Sequence, residues 1–304
     1  FLSFFLSFFL SFSSLTPAHE YFNTHVKQAL KGNYAPGGQV DGIYQYLHRE
    51  LPSAHVQFAA GCANVACNSS ELFAVARQAA SQAKIVILVV GLSSCPLNGM
   101  PCSPDDVIEG EGKDRASLAL PGQQDALVEQ VASVRAPGSV VITVLVGGGP
   151  ILPGNWLQLA DAVVSIHYPG EFGAPALFDV LFGKINPSGR LPTTWPSSAQ
   201  QLPEYESFVV ASNIHGRTYK YWTSTSAPRF PLEREEKGGG AQNSPRLWAF
   251  FNLAPPFSSF FLARFGYGLS YTSFLYSSPN ASLVHPTAPC SGLEISVIVT
   301  NNGK

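Results

Sequence analysis

Charge is what this 304-residue sequence has least of: Asp, Glu, Lys and Arg together make up 12% of it, about half the usual share in a soluble globular protein. The formal net charge is -2, and Lys and Arg form no run or stripe. That distribution gives nucleic acid no electrostatic footprint and an anionic membrane no anchor. No apolar run reaches the ~20 residues of a membrane-spanning helix. The G-x-S-x-G elbow is missing, so a serine mechanism of the α/β-hydrolase kind loses its main signature. A G-x-G-x-x-G fingerprint and a P-loop lysine are missing too, which leaves the Gly147–Gly149 run as a tight turn by default. No two of the seven histidines stand at metal-ligand spacing, and neither close cysteine pair has the C-x-x-C form. No metal or organic cofactor is expected.

Proline and glycine are plentiful, 24 and 27 residues, as in loop-rich α/β or β proteins. Among the five cysteines, Cys62 lies near Cys67 and Cys95 near Cys102, with Cys290 left over. Disulfides within the two close pairs are favoured over free thiols, and they require Cα atoms about 4.4–6.8 Å apart. The sequons at Asn68 and Asn280 agree with an extracellular, secreted location. Residues 1–16 open with FLSFFLSFFLSFSSL, which matches a signal peptide only in part. They are read as low-complexity sequence foreign to the domain.

Three apolar runs, 84–91, 139–146 and 162–168, have strand length, the first of them continuous. Apolarity on both faces is the mark of a buried parallel sheet. Helical patterns stand between them. One follows Ser69 and Ser70, either of which is expected to cap the first turn. A second is expected to open at Pro121, where a missing N–H costs nothing. A third covers Gly173–Phe182, and a short helical stretch covers Trp156–Asp161. This alternation predicts an α/β fold, a three-layer sandwich around a mostly parallel sheet, over residues 17–279. Residues 232–264, with a charged cluster, three glycines and a Phe-rich tail, form an atypical insertion. Residues 280–304 end in the alternating EISVIVTNNGK, read as one strand of a truncated antiparallel β-sandwich.

In parallel α/β folds chemistry gathers beyond the carboxyl ends of the strands. That edge comprises 92–121, 147–154 and 168–173, and within it Glu109-Gly110-Glu111-Gly112-Lys113-Asp114-Arg115 is the segment best equipped for acid–base work. Two carboxylates close together in a poorly hydrated site raise each other's pKa, which is what a general acid needs. Lys113 and Arg115 oppose that effect, and a solvated acidic loop is the rival interpretation of the same residues. His167 at a strand end is more often a core residue than a base, Glu171 suits a helix N-terminus, and His215 stands in a polar loop within reach of a substrate.

Eight segments in order resemble glycoside hydrolase family 3, in its plant-type β-D-xylosidase/α-L-arabinofuranosidase branch. They are LKGNYAP (30–36), AGCANVAC (60–67), EGEGKDRASLALPGQQ (109–124), GGGP (147–150), HYPGEFG (167–173), FGKINPSGRLPTTW (182–195), GRTYKYW (216–222) and FGYGLSYTSF (265–274). The resemblance implies a (β/α)8-like barrel upstream carrying the nucleophilic Asp, this α/β sandwich carrying the acid/base Glu, and the start of a fibronectin type III-like domain. The family's E-G-x-D-R loop maps onto Glu111-Gly112-Lys113-Asp114-Arg115. Glu111 is therefore the expected acid/base and Glu109 the fallback, with Asp114, Arg115 and His215 expected at the substrate.

Two departures stand out: a longer loop before Glu109, long enough to displace Glu111, and the extra residues 232–264. Those residues and the opening Phe/Leu/Ser repeat look like translated pyrimidine-rich, non-coding sequence. The function implied is retaining hydrolysis of a terminal β-xylosyl or α-arabinosyl residue, this chain supplying only the acid/base half. The expected partners are a carbohydrate substrate and the barrel domain. A non-catalytic carbohydrate-binding or scaffold domain is the alternative, and a nucleotide-binding α/β protein a distant third.

Overall fold

The computed structural model describes residues 3–7, 30, 40–94, 108–152, 154–196, 198–211, 217–220, 265–284 and 292–303. Five parallel strands form one sheet: β1 (Ser3–Ser7), β2 (His55–Phe58), β3 (Ile85–Gly91), β4 (Val140–Val146) and β5 (Ala162–His167). Their order across the sheet is β2-β1-β3-β4-β5. This is a doubly wound order whose direction reverses between β1 and β3, the place where such sheets leave a crevice at the strands' carboxyl ends.

Among the described residues four helices of at least two turns cover the sheet: α1 (Ile43–Glu50), α2 (Phe73–Ala80), α3 (Gln124–Ser133) and α4 (Gly173–Leu181). The layering follows from the two-residue period of a strand. Val86, Leu88 and Val90 of β3 face α2 and α3, packing with Phe73, Ala76, Leu127, Val128 and the fully buried Trp156. Ile87 and Val89 face the other way, onto Ile43 and Leu47 of α1 and Leu177 and Phe178 of α4. Both faces are thus dry, as the apolar runs predict, and the fold is α/β with helices on either side of a parallel sheet.

Several local expectations are corrected. The opening repeat, given no place in the fold from sequence, supplies β1, seated between β2 and β3. Helix α3 begins at Gln124 rather than Pro121, because the Pro121 carbonyl accepts from Gln124 N–H in a preceding turn at 3.2 Å. Ser69 Oγ accepts from Glu71 N–H at 3.2 Å, ahead of α2, and the cap position Leu72 carries no side-chain hydrogen bond. The stretch near Trp156 is a short 3-10 turn, Asn155–Gln158. Helix α1 and strand β2 went unread in the sequence.

Instead of one strand, the carboxy-terminal region holds β6 (Phe274–Tyr276), β7 (Asn280–Val284), β8 (Gly292–Ser296) and β9 (Val299–Asn301). β6 pairs with β9 and β7 with β8, both antiparallel. The expected single strand breaks after Ser296, where Ser277 takes over Ile298: its N–H donates to the Ile298 carbonyl and its Oγ accepts from Ile298 N–H, each at 2.9 Å. Two of the quoted segments tie this region to the sandwich. Leu191 N–H donates to Tyr267 O and Gly266 N–H to Leu191 O, both at 2.8 Å, while Asn186 Oδ1 accepts from Tyr271 N–H at 2.8 Å. Those residues serve architecture.

Candidate active site

The loop leaving β3 returns at Ile108 and Glu109, whose N–H groups both donate to the Ser93 carbonyl at 3.1 and 3.2 Å. That closure sets where the acidic segment begins. It then folds into a tight hairpin in which Gly110 and Lys113 exchange two backbone hydrogen bonds, each 3.1 Å. Glu111 and Gly112 form its tip. Gly112 has φ of 75°, a left-handed value that the third position of a type II turn requires and that glycine adopts without a Cβ clash. The turn leaves Glu111 exposed on the carboxyl-end side of the sheet.

Glu109, two residues earlier, has a different environment. Its side chain is only 14% exposed, and its Oε2 pairs with Arg115 Nε at 2.9 Å. Its Oε1 accepts from Gly148 N–H at 2.6 Å and from the Tyr168 hydroxyl at 2.7 Å. Gly148 follows β4 and Tyr168 follows β5. Arg115 also donates through Nη1 to the Pro150 carbonyl at 3.0 Å. Burial, followed by the hydrogen bond to Glu109 and its charge, pushes the Tyr168 phenol well above its ordinary value, so Tyr168 stays a donor at any physiological pH. His167 takes the backbone around this corner with φ of 50°, and its carbonyl accepts from Gly147 N–H at 3.3 Å.

Asp114 is exposed and accepts from the Tyr205 hydroxyl at 2.9 Å. The hydrogen bond to Asp114 raises the Tyr205 phenol pKa. Tyr205 belongs to a loop fastened from behind by Arg217, whose Nη2 donates to the carbonyls of Glu204 at 2.5 Å and Tyr205 at 3.0 Å. The Tyr205 ring itself is 83% exposed beside the acidic hairpin.

Of the residues singled out from sequence, the structure brings Glu109, Glu111, Asp114 and Arg115 to one edge. Cys62 and Cys67 are joined in a disulfide with Cα atoms 5.0 Å apart, and Asn68 and Asn280 are exposed. His215, Cys95, Cys102, Cys290 and the insertion 232–264 lie outside the described residues. Sequence reasoning passed over Tyr168, Tyr205 and Arg217. Tyr168 was open to discovery as the polar residue that ends a buried strand on the functional edge; Tyr205 carried no such signal. Among the described residues no cluster of His, Cys, Asp or Glu has a metal-holding arrangement, and no helix is long and apolar enough to cross a membrane.

An α/β sandwich with an acidic hairpin beyond the carboxyl ends of β3, β4 and β5 is the class of domain at hand, and comparison with known proteins gives it a family. The profile of the glycosyl hydrolase family 3 C-terminal domain matches residues 17–271; the chain belongs to glycoside hydrolase family 3. It is 31% identical over 286 residues to β-D-xylosidase 1 of Arabidopsis thaliana, matching 92% of this chain and 30% of that protein. It is 36% identical over 215 residues to β-xylosidase/α-L-arabinofuranosidase 1 of Medicago sativa subsp. varia, covering 66% of this chain and 24% of the relative. The chain therefore spans less than a third of the length of these relatives. Among solved structures, a family 3 exo-β-xylosidase in complex with a xylobiose aziridine probe superposes with a TM-score of 0.60 at 22% identity, over 91% of this chain and 29% of the other. A β-D-glucoside glucohydrolase from Trichoderma reesei gives 0.57 at 20% identity, over 99% and 39%. Both likenesses bear on the fold alone.

Proposed function

We propose that this chain is the acid/base half of a retaining β-xylosidase-like exo-glycosidase, with Glu111 as the proton donor and acceptor. The observation that carries this reading is the placement of Glu111: exposed at the tip of a tight hairpin, beyond the carboxyl ends of the strands, in the family's E-G-x-D-R pattern. The curated relatives named as xylosidases support a terminal β-xylosyl or α-arabinosyl residue as the substrate class.

In this mechanism two carboxyl groups about 5–5.5 Å apart flank the glycosidic bond. An Asp of the barrel half attacks the anomeric carbon while Glu111 protonates the departing oxygen. Water, deprotonated by Glu111, then releases the sugar. Glu109 suits the proton-transfer role less well, because both of its oxygens already accept protein donors. Asp114 and Arg115 flank the hairpin, Asp114 on the exposed side where a sugar hydroxyl can reach it. The Cys62–Cys67 disulfide favours an oxidising, extracellular compartment.

The test is turnover of an aryl β-xyloside. The 304-residue chain alone is expected to give a negligible rate, and the same chain joined to its barrel half a rate that Glu111→Gln lowers at least about a hundredfold. Full activity of the isolated chain, or full activity of the joined Glu111→Gln protein, overturns the proposal.

A further inference from the structure

The Gly110–Lys113 hairpin is closed by two backbone hydrogen bonds between its end residues. A lone two-residue hairpin is marginal in water, so bonds at its flanks help to set its orientation relative to the sheet. The residue just before it is Glu109 and the second residue after it is Arg115, and these two are joined by an ion pair of 2.9 Å that clasps the hairpin at its base. Both ends of the clasp then reach the neighbouring strand: Glu109 accepts from Gly148 N–H at 2.6 Å, and Arg115 donates to Pro150 O at 3.0 Å. Tyr168 adds the end of β5 at 2.7 Å. One carboxylate thereby fastens the segments leaving three consecutive strands of the sheet.

The glycine run after β4 belongs to the same device. A Cβ on Gly148 would sit 3.0 Å from Glu109 Oε1 and 3.1 Å from the Tyr168 ring, and one on Gly149 would sit 3.1 Å from Arg115 Nη2. These approaches leave little room for a side chain, so the tight turn read from sequence doubles as the bed on which the clasp lies. With exposures of 14% for Glu109 and 10% for Arg115, the pair is shielded from the salt screening that weakens surface pairs.

We infer that Glu109 is a positioning residue: through Arg115, Gly148 and Tyr168 it holds the Gly110–Lys113 hairpin, and with it Glu111, in a fixed place over the sheet edge. The inference rests on the reading of Glu111 as the proton donor, and it assigns Glu109 no proton transfer of its own. A carboxyl group held by an arginine and two further donors serves as an acceptor; serving as an acid would mean giving up those bonds.

Amide hydrogen exchange in the 304-residue chain, followed residue by residue without substrate, tests it. Glu109→Ala is expected to speed exchange at Gly110, Lys113 and Gly148 by about tenfold or more, while Val86 and Val144 in the sheet core keep their wild-type protection. Glu109→Gln, which retains an acceptor oxygen, is expected to return Gly148 to within about threefold of wild type. Should Glu109→Ala fail to fold, Arg115→Met is read in the same way at Gly110 and Lys113. Hairpin amides that stay within about twofold of wild type overturn the inference, and so does equal acceleration of Val86 and Val144, which marks a merely global loss of stability. Because no sugar is present, a negative result leaves the role of Glu111 standing, and an inactive or fully active Glu111 variant leaves the clasp standing.

Discussion

Gln124 satisfies both backbone groups of Gly91: its Oε1 accepts from Gly91 N–H at 2.7 Å, and its Nε2 donates to the Gly91 carbonyl at 2.9 Å. The same Nε2 donates to Val65 O at 2.6 Å. A single buried amide at the start of α3 thus joins the last residue of β3 to the disulfide-bonded loop. Only an amide side chain offers an acceptor and two donors in this arrangement.

Replacing it with leucine, of similar bulk, leaves one N–H and two carbonyls buried without that partner. Each such group costs about 1–3 kcal/mol, so Gln124→Leu is expected to lower stability by about 3 kcal/mol or more in urea unfolding. A midpoint unchanged from wild type would show that water or backbone rearrangement replaces the clip.

Asp125 accepts from Trp156 Nε1 at 2.6 Å. Burial raises its pKa above the ordinary 3.8, partly countered by the Trp156 hydrogen bond, and Glu129 adds to the rise. A folded-state pKa above the unfolded one means that the contribution to stability is complete below the unfolded value and is lost as pH rises through the folded value. Asp125→Asn keeps an acceptor for Trp156 and never ionises. Its stability relative to wild type is therefore expected to improve between about pH 3 and pH 7. Urea midpoints of both proteins at the two pH values check the sign.

The half-buried phenol of Tyr168 titrates above its ordinary 10.0, chiefly through burial and then through Glu109. In alkali the unfolded chain releases this proton while the folded chain retains it, so stability falls as pH climbs past the unfolded value. Tyr168→Phe is expected to flatten that decline while costing about 1.5–3 kcal/mol at neutrality for the lost hydrogen bond to a charged group. Thermal unfolding at neutral pH and above the ordinary phenol value measures both effects.

The Cys62–Cys67 disulfide closes a loop with a sequence separation of 5. In the chain-entropy account so small a loop is worth about 2 kcal/mol. Reduction, or the Cys62→Ala/Cys67→Ala pair, is expected to destabilise by about that amount in denaturant. Much of the loosening should appear at Gln123, whose N–H donates to the Cys67 carbonyl at 2.9 Å.

What could be read from the residues follows from where the physics is local. β3, β4 and β5 were legible because burial on both faces keeps the runs mostly apolar, with Thr143, Ser165 and His167 the exceptions. β2 was not, since HVQF is four residues with an alternating burial pattern that any loop can imitate. Helix α1 was missed because YQYLHRE puts only Leu47 in the core after Ile43. In the site, the pattern of carboxylates and glycines singled out the loop that carries Glu109 and Glu111. The separate environments of Glu109 and Glu111 were out of reach, because the partners that distinguish them, Gly148 and Tyr168, lie 39 and 59 residues from Glu109. No short window of sequence contains them.

The middle seat of the sheet has a consequence for assembly. β2 and β3 each bond to β1, so the strand between them is the keystone that joins β2 to the rest of the sheet. Phe4 of β1 pairs with Ile85 of β3, a wider separation in sequence than Ile85 to Val140 between β3 and β4, so the β1–β3 pairing carries the higher contact order. Any polypeptide shortened from its first residues is expected to form half a sheet quickly and then wait with two open edges, the state in which parallel α/β chains stick to one another.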